Sequence, residues 1–179
     1  MSSEGQPKRP KAADAAGAVL ILGVLAAQAF LDVSGARWLT AVAVALLLLA
    51  PAFIFLPFLH LSRYGKPRDG GPYFATTKLV DRGIYRVVRH PQYVGYALLA
   101  VGFGARNPHP LVLGLASGAA AFFYLQCVLE ERFCRGTFGS AYDQYMSRVP
   151  RFNFLLGLFR IAQDHLRGVN GSTGDEQPR

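Results

Sequence analysis

Arg89-His90-Pro91-Gln92-Tyr93-Val94-Gly95 is the stretch on which the reading of this chain turns. It stands where a basic, loop-like segment, His60 to Arg89, gives way to an apolar run, Tyr93 to Ala105. A proline directly after His90 pushes that residue out of helical backbone, and Pro91 suits the first position of the following helix. Arg89 and His90 thereby set a permanent cation and a titratable ring at the edge of a membrane-like segment. Tyr93 and Tyr96 offer aromatic faces, and Gly95 lets another backbone come close. A basic flank beside a span, with proline opening the helix, would read the same way, so a partner motif has to decide.

Working outward, the 179 residues are 51% hydrophobic and only 17% charged, against roughly a quarter charged in a soluble domain. The apolar residues are bunched rather than patterned, which points to one polytopic membrane domain. The net charge of +8 follows the same topology. Lys8, Arg9 and Lys11 precede the first apolar run, seven of the 19 Lys and Arg lie between His60 and Arg89, and seven lie between Arg132 and Arg179. Arg37 and Arg106 stand apart, each in a short connection on the other side. This is the positive-inside distribution for an even number of spans with both termini cytoplasmic. Nucleic acid is set aside, because no binding module accompanies the charge. Cys127 and Cys134 are too few for a disulfide framework, and no metal-ligand spacing joins them to the four histidines.

Residues 1–11 read as a disordered cytoplasmic tail without a cleavage pattern, residues 12–167 as a single membrane domain, and residues 168–179 as a second disordered tail. Ala15–Leu31 is the first expected span, with Gly17 and Gly23 permitting close helix contact. Asp32 to Gly35 is a tight turn, and Trp38 to about Leu61 is the second span, with Pro51 and Pro57 inside it. The segment 60–89 is interrupted by glycines and prolines and interleaved with Tyr64, Tyr73, Phe74 and Tyr85, as expected of an ordered loop folded over something. Tyr93–Ala105 is shorter than the roughly 20 residues a crossing requires. The turn Arg106–Pro110 leads to the last span, Leu111–Leu129, where Gly114 and Gly118 form a small-residue face. His60 is read as a snorkelling interfacial residue, and Phe154–Leu166 as an amphipathic surface helix. The fold class is therefore all-α: a membrane bundle of about four transmembrane helices, a cytoplasmic covering loop and a C-terminal surface helix.

The partner motif is Glu130-Glu131, which follows the last span directly. Adjacent helical residues point about 100° apart, so the two acids need not do one job. Glu131 to Arg135 makes an ordinary i,i+4 pair. That leaves Glu130 as the carboxylate in want of a cation, either Arg89 or the ammonium of a ligand. Two helices joined by a short outer turn run side by side, so their inner ends, carrying Arg89 to Tyr93 and Glu130 to Glu131, should meet. The result is a pocket at the membrane surface with a cation, an imidazole, aromatic faces and a carboxylate.

Leu79-Val80-Asp81-Arg82-Gly83-Ile84-Tyr85, the Arg89-His90-Pro91-Gln92-Tyr93-Val94-Gly95 stretch, Glu130-Glu131, Phe138-Gly139, Tyr142, Tyr145 and Val149-Pro150-Arg151-Phe152 together resemble the isoprenylcysteine carboxyl methyltransferase and phospholipid methyltransferase superfamily. The resemblance covers roughly residues 75–152. It implies a membrane enzyme that binds S-adenosylmethionine on the cytoplasmic side and methylates a lipophilic acceptor arriving through the bilayer. Carried over by position, it implies cofactor contacts at Thr77, Lys78, Leu79, Val80, Tyr85, His90, Pro91, Tyr93 and Glu130. Arg89 and Glu131 are left in supporting roles, and no catalytic base is assigned. Such a ligand suits the residue types: a sulfonium on a tyrosine face, an α-ammonium on Glu130, and an α-carboxylate on His90, Arg89 or backbone donors.

One position departs from the pattern. Isoprenylcysteine enzymes carry an arginine four residues before the first glutamate, where this chain has Gln126, and no Lys or Arg occurs from Leu111 to Leu129. Phospholipid amines, thiols and other lipophilic acceptors therefore stay open beside an isoprenylcysteine carboxylate. Two other classes stand as alternatives. One is a sterol-reductase-like membrane enzyme using NADPH, for which four spans leave little room. The other is a non-catalytic membrane protein in which Arg89 and Glu130 form a structural pair.

Overall fold

The computed structural model describes residues 11–31, 33, 35–66 and 76–172. Every regular element among them is a helix: α1 (Lys11–Phe30), α2 (Arg37–Tyr64), α3 (Ile84–Val87), α4 (Pro91–Arg106), α5 (Pro110–Phe138), α6 (Ser140–Arg148) and α7 (Phe154–Ser172). The tails expected at either end fall, over 1–10 and 173–179, outside the described residues, as do Asp32, Ser34, Tyr73 and Phe74. Helix α7 continues past Leu166, so residues 168–172 are helical where a tail was expected.

Among the described residues, two helices are long and apolar enough to cross a membrane. Helices α2 and α5 have 28 and 29 residues, about 42 and 43 Å at the helical rise. Most of each apolar stretch faces outward, including Leu48, Phe55 and Leu59 on α2 and Leu111, Leu125 and Leu129 on α5. A soluble core helix would do the opposite, so this surface belongs against hydrocarbon. The count of four is not met by length. The apolar part of α1 is the shorter run Ala15–Phe30, and α4 has 16 residues, about 24 Å against a hydrocarbon core of about 30 Å.

Small residues set how closely the helices approach. Helix α4 packs chiefly on α2 and then on α5. Gly95 lies where a side chain would run into Ile54 and the Ala50 carbonyl, so a backbone does come close there. Between α4 and α5 the buried seam is Ala100, Ala116, Ala119 and Phe123, with Tyr93, Tyr96 and Phe122 packed around it. Gly114 and Gly118 meet no neighbour, so the expected small-residue face of α5 is the wrong one. The alanines on the opposite side do that work, because they share a stripe with Val112, Phe123 and Cys127. Likewise Gly17 abuts the Phe122 and Phe123 rings, whereas Gly23 meets nothing.

Asn107 ties the two outer turns together. Its Nδ2 donates to the Leu31 carbonyl, and its Oδ1 accepts from the amides of Val33 at 3.3 Å and His109 at 3.4 Å. The side chain is buried, so losing it orphans backbone groups of both turns. Asn107→Ala is expected to cost about 1–3 kcal/mol. The check is the thermal midpoint in detergent, which should fall by several degrees; an unchanged midpoint would mean that water replaces these bonds.

At the other end of the bundle, the chain leaves α2 after Tyr64, through Gly65 and Lys66, and is pinned on its return. The amides of Thr77 and Lys78 donate to the Gly65 carbonyl at 3.0 and 3.1 Å, and Thr77 Oγ1 donates to the Lys66 carbonyl at 2.8 Å. Gly83 then adopts φ +60°, and a side chain there would overlap the His60 ring. His60 is thus the platform on which the segment before α3 rests, rather than a side chain reaching for the interface. Phe53, Val88 and Val94 form a buried cluster with Ile84, Phe152 and Phe154, binding α2, α3, α4 and the start of α7 into one end.

Candidate functional site

At that end α3 stops, Val88 turns extended and Pro91 opens α4, as the His-Pro pair predicts. The intervening Arg89 and His90 therefore point inward from a short non-helical link. The Arg89 amide donates to the Pro150 carbonyl at 3.0 Å, fixing the link against the C-terminal segment. His90 is buried, with its ring 6.0 Å from that of Tyr93, which in turn stacks on Phe123 at 6.2 Å.

The acid that meets them is Glu131. Its carboxylate is 5% exposed and takes Arg89 Nη1 at 2.9 Å, with His90 Nε2 3.6 Å away. Arg151 grips the same group from the other side, Nε to Oε1 at 2.9 Å and Nη2 to Oε2 at 2.7 Å, and donates through Nη1 to the Tyr124 hydroxyl at 3.0 Å. This corrects the sequence reading on two points. Arg89 pairs with Glu131, not Glu130, and Arg135 pairs with Asp143 at 3.1 Å rather than with Glu131. The reason is rotational: the buried stripe of α5 through Phe123 and Cys127 continues to Glu131, while Glu130 lies about 100° around the helix. Glu130 is half-buried beside the cluster.

Two guanidinium groups, Arg89 and Arg151, share the one buried carboxylate of Glu131, with Glu130 half-buried beside them. Arg89 Nε and Nη1 and His90 Nε2 are buried with no hydrogen bond among the described residues. The 2.9 Å approach of Nη1 to Glu131 is a charge contact whose N–H is not aligned with the oxygen. Such groups are costly unless an acceptor meets them. The arrangement therefore suits a small anion, such as a carboxylate, beside a tyrosine face.

The remaining residues singled out in the sequence divide between the site and its support. Pro91 and Val80 are buried, Lys78 is exposed, and Leu79 packs against the cluster of Tyr142, Tyr145 and Val149. The Tyr85 carbonyl accepts from the Tyr145 hydroxyl at 2.6 Å, which latches α6 onto α3. Burial pushes the Tyr145 and Tyr142 hydroxyls above the ordinary phenol range, so both stay protonated. The hydrogen bond to Glu131 holds the Arg151 guanidinium charged more firmly than usual. Arg151 is the residue that sequence reasoning missed. It sits 20 positions from Glu131 with no helical spacing to suggest the pair, and the only signal was its place in the Val149–Phe152 stretch. Cys127 is buried and Cys134 half-buried, no disulfide joins them, and no group of three metal-type ligands occurs among the described residues.

Fold and site together define a helical membrane protein with a buried, cation-rich site built at one end of its bundle. The chain belongs to the phospholipid methyltransferase family, whose model matches residues 38–141. Among curated relatives it is similar to protein-S-isoprenylcysteine O-methyltransferase B of Arabidopsis thaliana, 34% identical over 74 residues, which are 41% of this chain and 38% of that protein. It is also similar to the protein-S-isoprenylcysteine O-methyltransferase of Schizosaccharomyces pombe, 37% identical over 79 residues, 40% of this chain and 31% of the relative. A third relative is the nickel-cobalt-cadmium resistance protein NccN of Alcaligenes xylosoxydans xylosoxydans, 31% identical over 91 residues, 51% of this chain and 43% of that protein. The match thus spans less than half the length of each of these relatives. No solved structure matches the chain significantly.

Proposed function

We propose that this protein is an integral-membrane methyltransferase that takes a methyl group from S-adenosylmethionine and passes it to a lipophilic acceptor at the cytoplasmic face. The observation that carries the reading is the buried Arg89–His90 pair, whose Nε, Nη1 and Nε2 atoms lie beside the Arg151-held Glu131 without an aligned hydrogen bond among the described residues. The amino-acid carboxylate of the cofactor would take those donors, a pairing stronger than that between neutral groups. Glu130, one step around α5, would receive the ammonium, and the face of Tyr93 would receive the sulfonium. Leu79, Val80 and Tyr85, with Lys78 and Pro91 at the margins, would frame the adenosine.

S-adenosylmethionine, when bound, supplies an already activated methyl group. What this chain adds is orientation and exclusion of water, which together can supply most of the acceleration for an in-line transfer. Its own residues would hold the donor by both ends of the amino-acid moiety, and no side chain of the cluster is required as a nucleophile. The acceptor would reach the site along the outward apolar faces of α2 and α5. With Gln126 where isoprenylcysteine enzymes carry arginine, we include phospholipid amines and lipophilic thiols among acceptors alongside isoprenylcysteine carboxylates. The weight of Lys and Arg in residues 8–11, 63–89 and 132–179 supports a topology with this end and both termini in the cytoplasm, in which α1 and α4 would complete a bundle of four membrane helices.

Incubating the purified protein with methyl-labelled S-adenosylmethionine and a lipid extract should label a lipid-soluble product. S-adenosylhomocysteine should raise the thermal midpoint where NADPH does not. His90→Ala, which removes one donor, is expected to weaken S-adenosylhomocysteine by about tenfold. Stabilisation by NADPH instead of S-adenosylhomocysteine would turn the reading toward a reductase.

A further inference from the structure

Arg151 takes up both oxygens of Glu131, and its neighbour Pro150 accepts from the Arg89 amide at 3.0 Å. Two consecutive residues of the C-terminal segment therefore fix the acid and the backbone of the base that faces it. From this geometry we infer that Arg151 is a positioning residue: by fixing the orientation of the Glu131 carboxylate it leaves the N–H groups of Arg89 and His90, although they lie beside that carboxylate, out of line with it and open to a ligand carboxylate. The inference rests on the reading of this cluster as the seat of the cofactor's amino-acid end.

The argument is one of competition for a single acceptor. Ionised, Glu131 offers about four lone-pair sites on two oxygens. Arg151 forms the bidentate pair, which sets the plane of the carboxylate. With the carboxylate so held, Arg89 Nη1 lies 2.9 Å and His90 Nε2 3.6 Å from Oε1, and neither atom has an aligned hydrogen bond among the described residues. Without Arg151 the carboxylate is free to turn toward Arg89 and His90 and to consume the N–H groups that a ligand would use. The charge moves the same way, since removing Arg151 takes one positive charge from the surroundings of Arg89 and Glu131. Arg151 itself has little left to give a ligand, since its third nitrogen donates to Tyr124, whose ring also lies under the guanidinium at 5.6 Å. Its contribution is exerted through Glu131.

The test compares two ligands on three proteins. S-adenosylhomocysteine carries the carboxylate, and its decarboxylated analogue keeps the adenosine, thioether and ammonium but lacks that group. Dissociation constants are measured by titration calorimetry in detergent for the wild type, Arg151→Gln and Arg151→Lys. The wild type should prefer S-adenosylhomocysteine by about tenfold or more, the scale of charged hydrogen bonds. Arg151→Gln should lose that preference while binding the analogue almost as well as the wild type does. Arg151→Lys, which restores the charge without the fork, should fall between them. Equal weakening of both ligands in either variant would make the role merely structural and overturn the inference, as would an undiminished preference. A wild type that shows no preference at all would instead overturn the placing of the carboxylate at Arg89 and His90. If Arg151→Gln does not fold, the lysine variant decides between the same outcomes.

Discussion

Glu131→Ala is expected to be the most damaging single substitution in this chain, lowering the thermal midpoint in detergent by on the order of 10 °C. Removal of the acid leaves Arg89, 8% exposed, and Arg151, 30% exposed, facing one another without a counter-charge. Breaking a buried ion pair from one side costs about 3–5 kcal/mol, and each kcal/mol moves the midpoint of a chain of this size by about 2–4 °C. The damage comes from the stranded cations, not from the lost attraction, because an intact buried pair contributes little net stability. Glu131→Gln, which can still accept hydrogen bonds, should therefore be milder than alanine. Glu130→Ala should shift the midpoint far less while still weakening S-adenosylhomocysteine. If the two glutamates proved interchangeable in both measurements, the division between a structural acid and a ligand-facing acid would be lost.

The second large effect is expected at Gly157. In an open helical position, glycine to alanine stabilises by about 1 kcal/mol. Here a Cβ would overlap the backbone carbonyl oxygen of Val87, the last residue of α3, so the sign should reverse. Backbone cannot swing aside as the end of a side chain can. Overpacking of this kind costs about 1–3 kcal/mol, and the strain falls on the link that carries Arg89 and His90. Phe154 anchors the same turn of α7, its ring 5.1 Å from that of Phe53 on α2. Gly157→Ala should accordingly lower the thermal midpoint and weaken S-adenosylhomocysteine together, whereas Gly118→Ala, on an open face of α5, should do neither. A stabilised Gly157→Ala protein would show that α7 does not seat on α3 in solution.

The sequence was legible wherever the physics is local. Proline at 91 suits the first helical turn and disfavours helical backbone at the residue before it, so the start of α4 and the non-helical link before it could be read directly. Runs of aliphatic residues marked α2 and the apolar part of α5, and the short turn between α4 and α5 required their inner ends to meet. The pairing of Arg89 and His90 with the Glu130–Glu131 dipeptide follows from that turn alone, and the family resemblance rested on the same residues.

What needed the tertiary structure was every choice that depends on how a helix is rotated or on what comes from far along the chain. Neighbouring glutamates differ by about 100° of rotation, and only the packing of Ala116, Ala119, Phe123 and Cys127 against neighbouring helices decides that Glu131 turns inward. The same rotation placed the alanines of α5, rather than its glycines, against α4. Arg151 reaches Glu131 only because α6 and the turn after it fold back across the end of the bundle, held by Tyr145 on the Tyr85 carbonyl. No periodicity in the sequence encodes such a return, since its energy comes from burying Tyr142, Tyr145 and Val149 against residues as distant as Leu79. Composition and local stereochemistry thus determined the helices and brought two motifs to one end. Which acid is buried, and which arginine holds it, was decided by side-chain packing between segments that are remote in the chain.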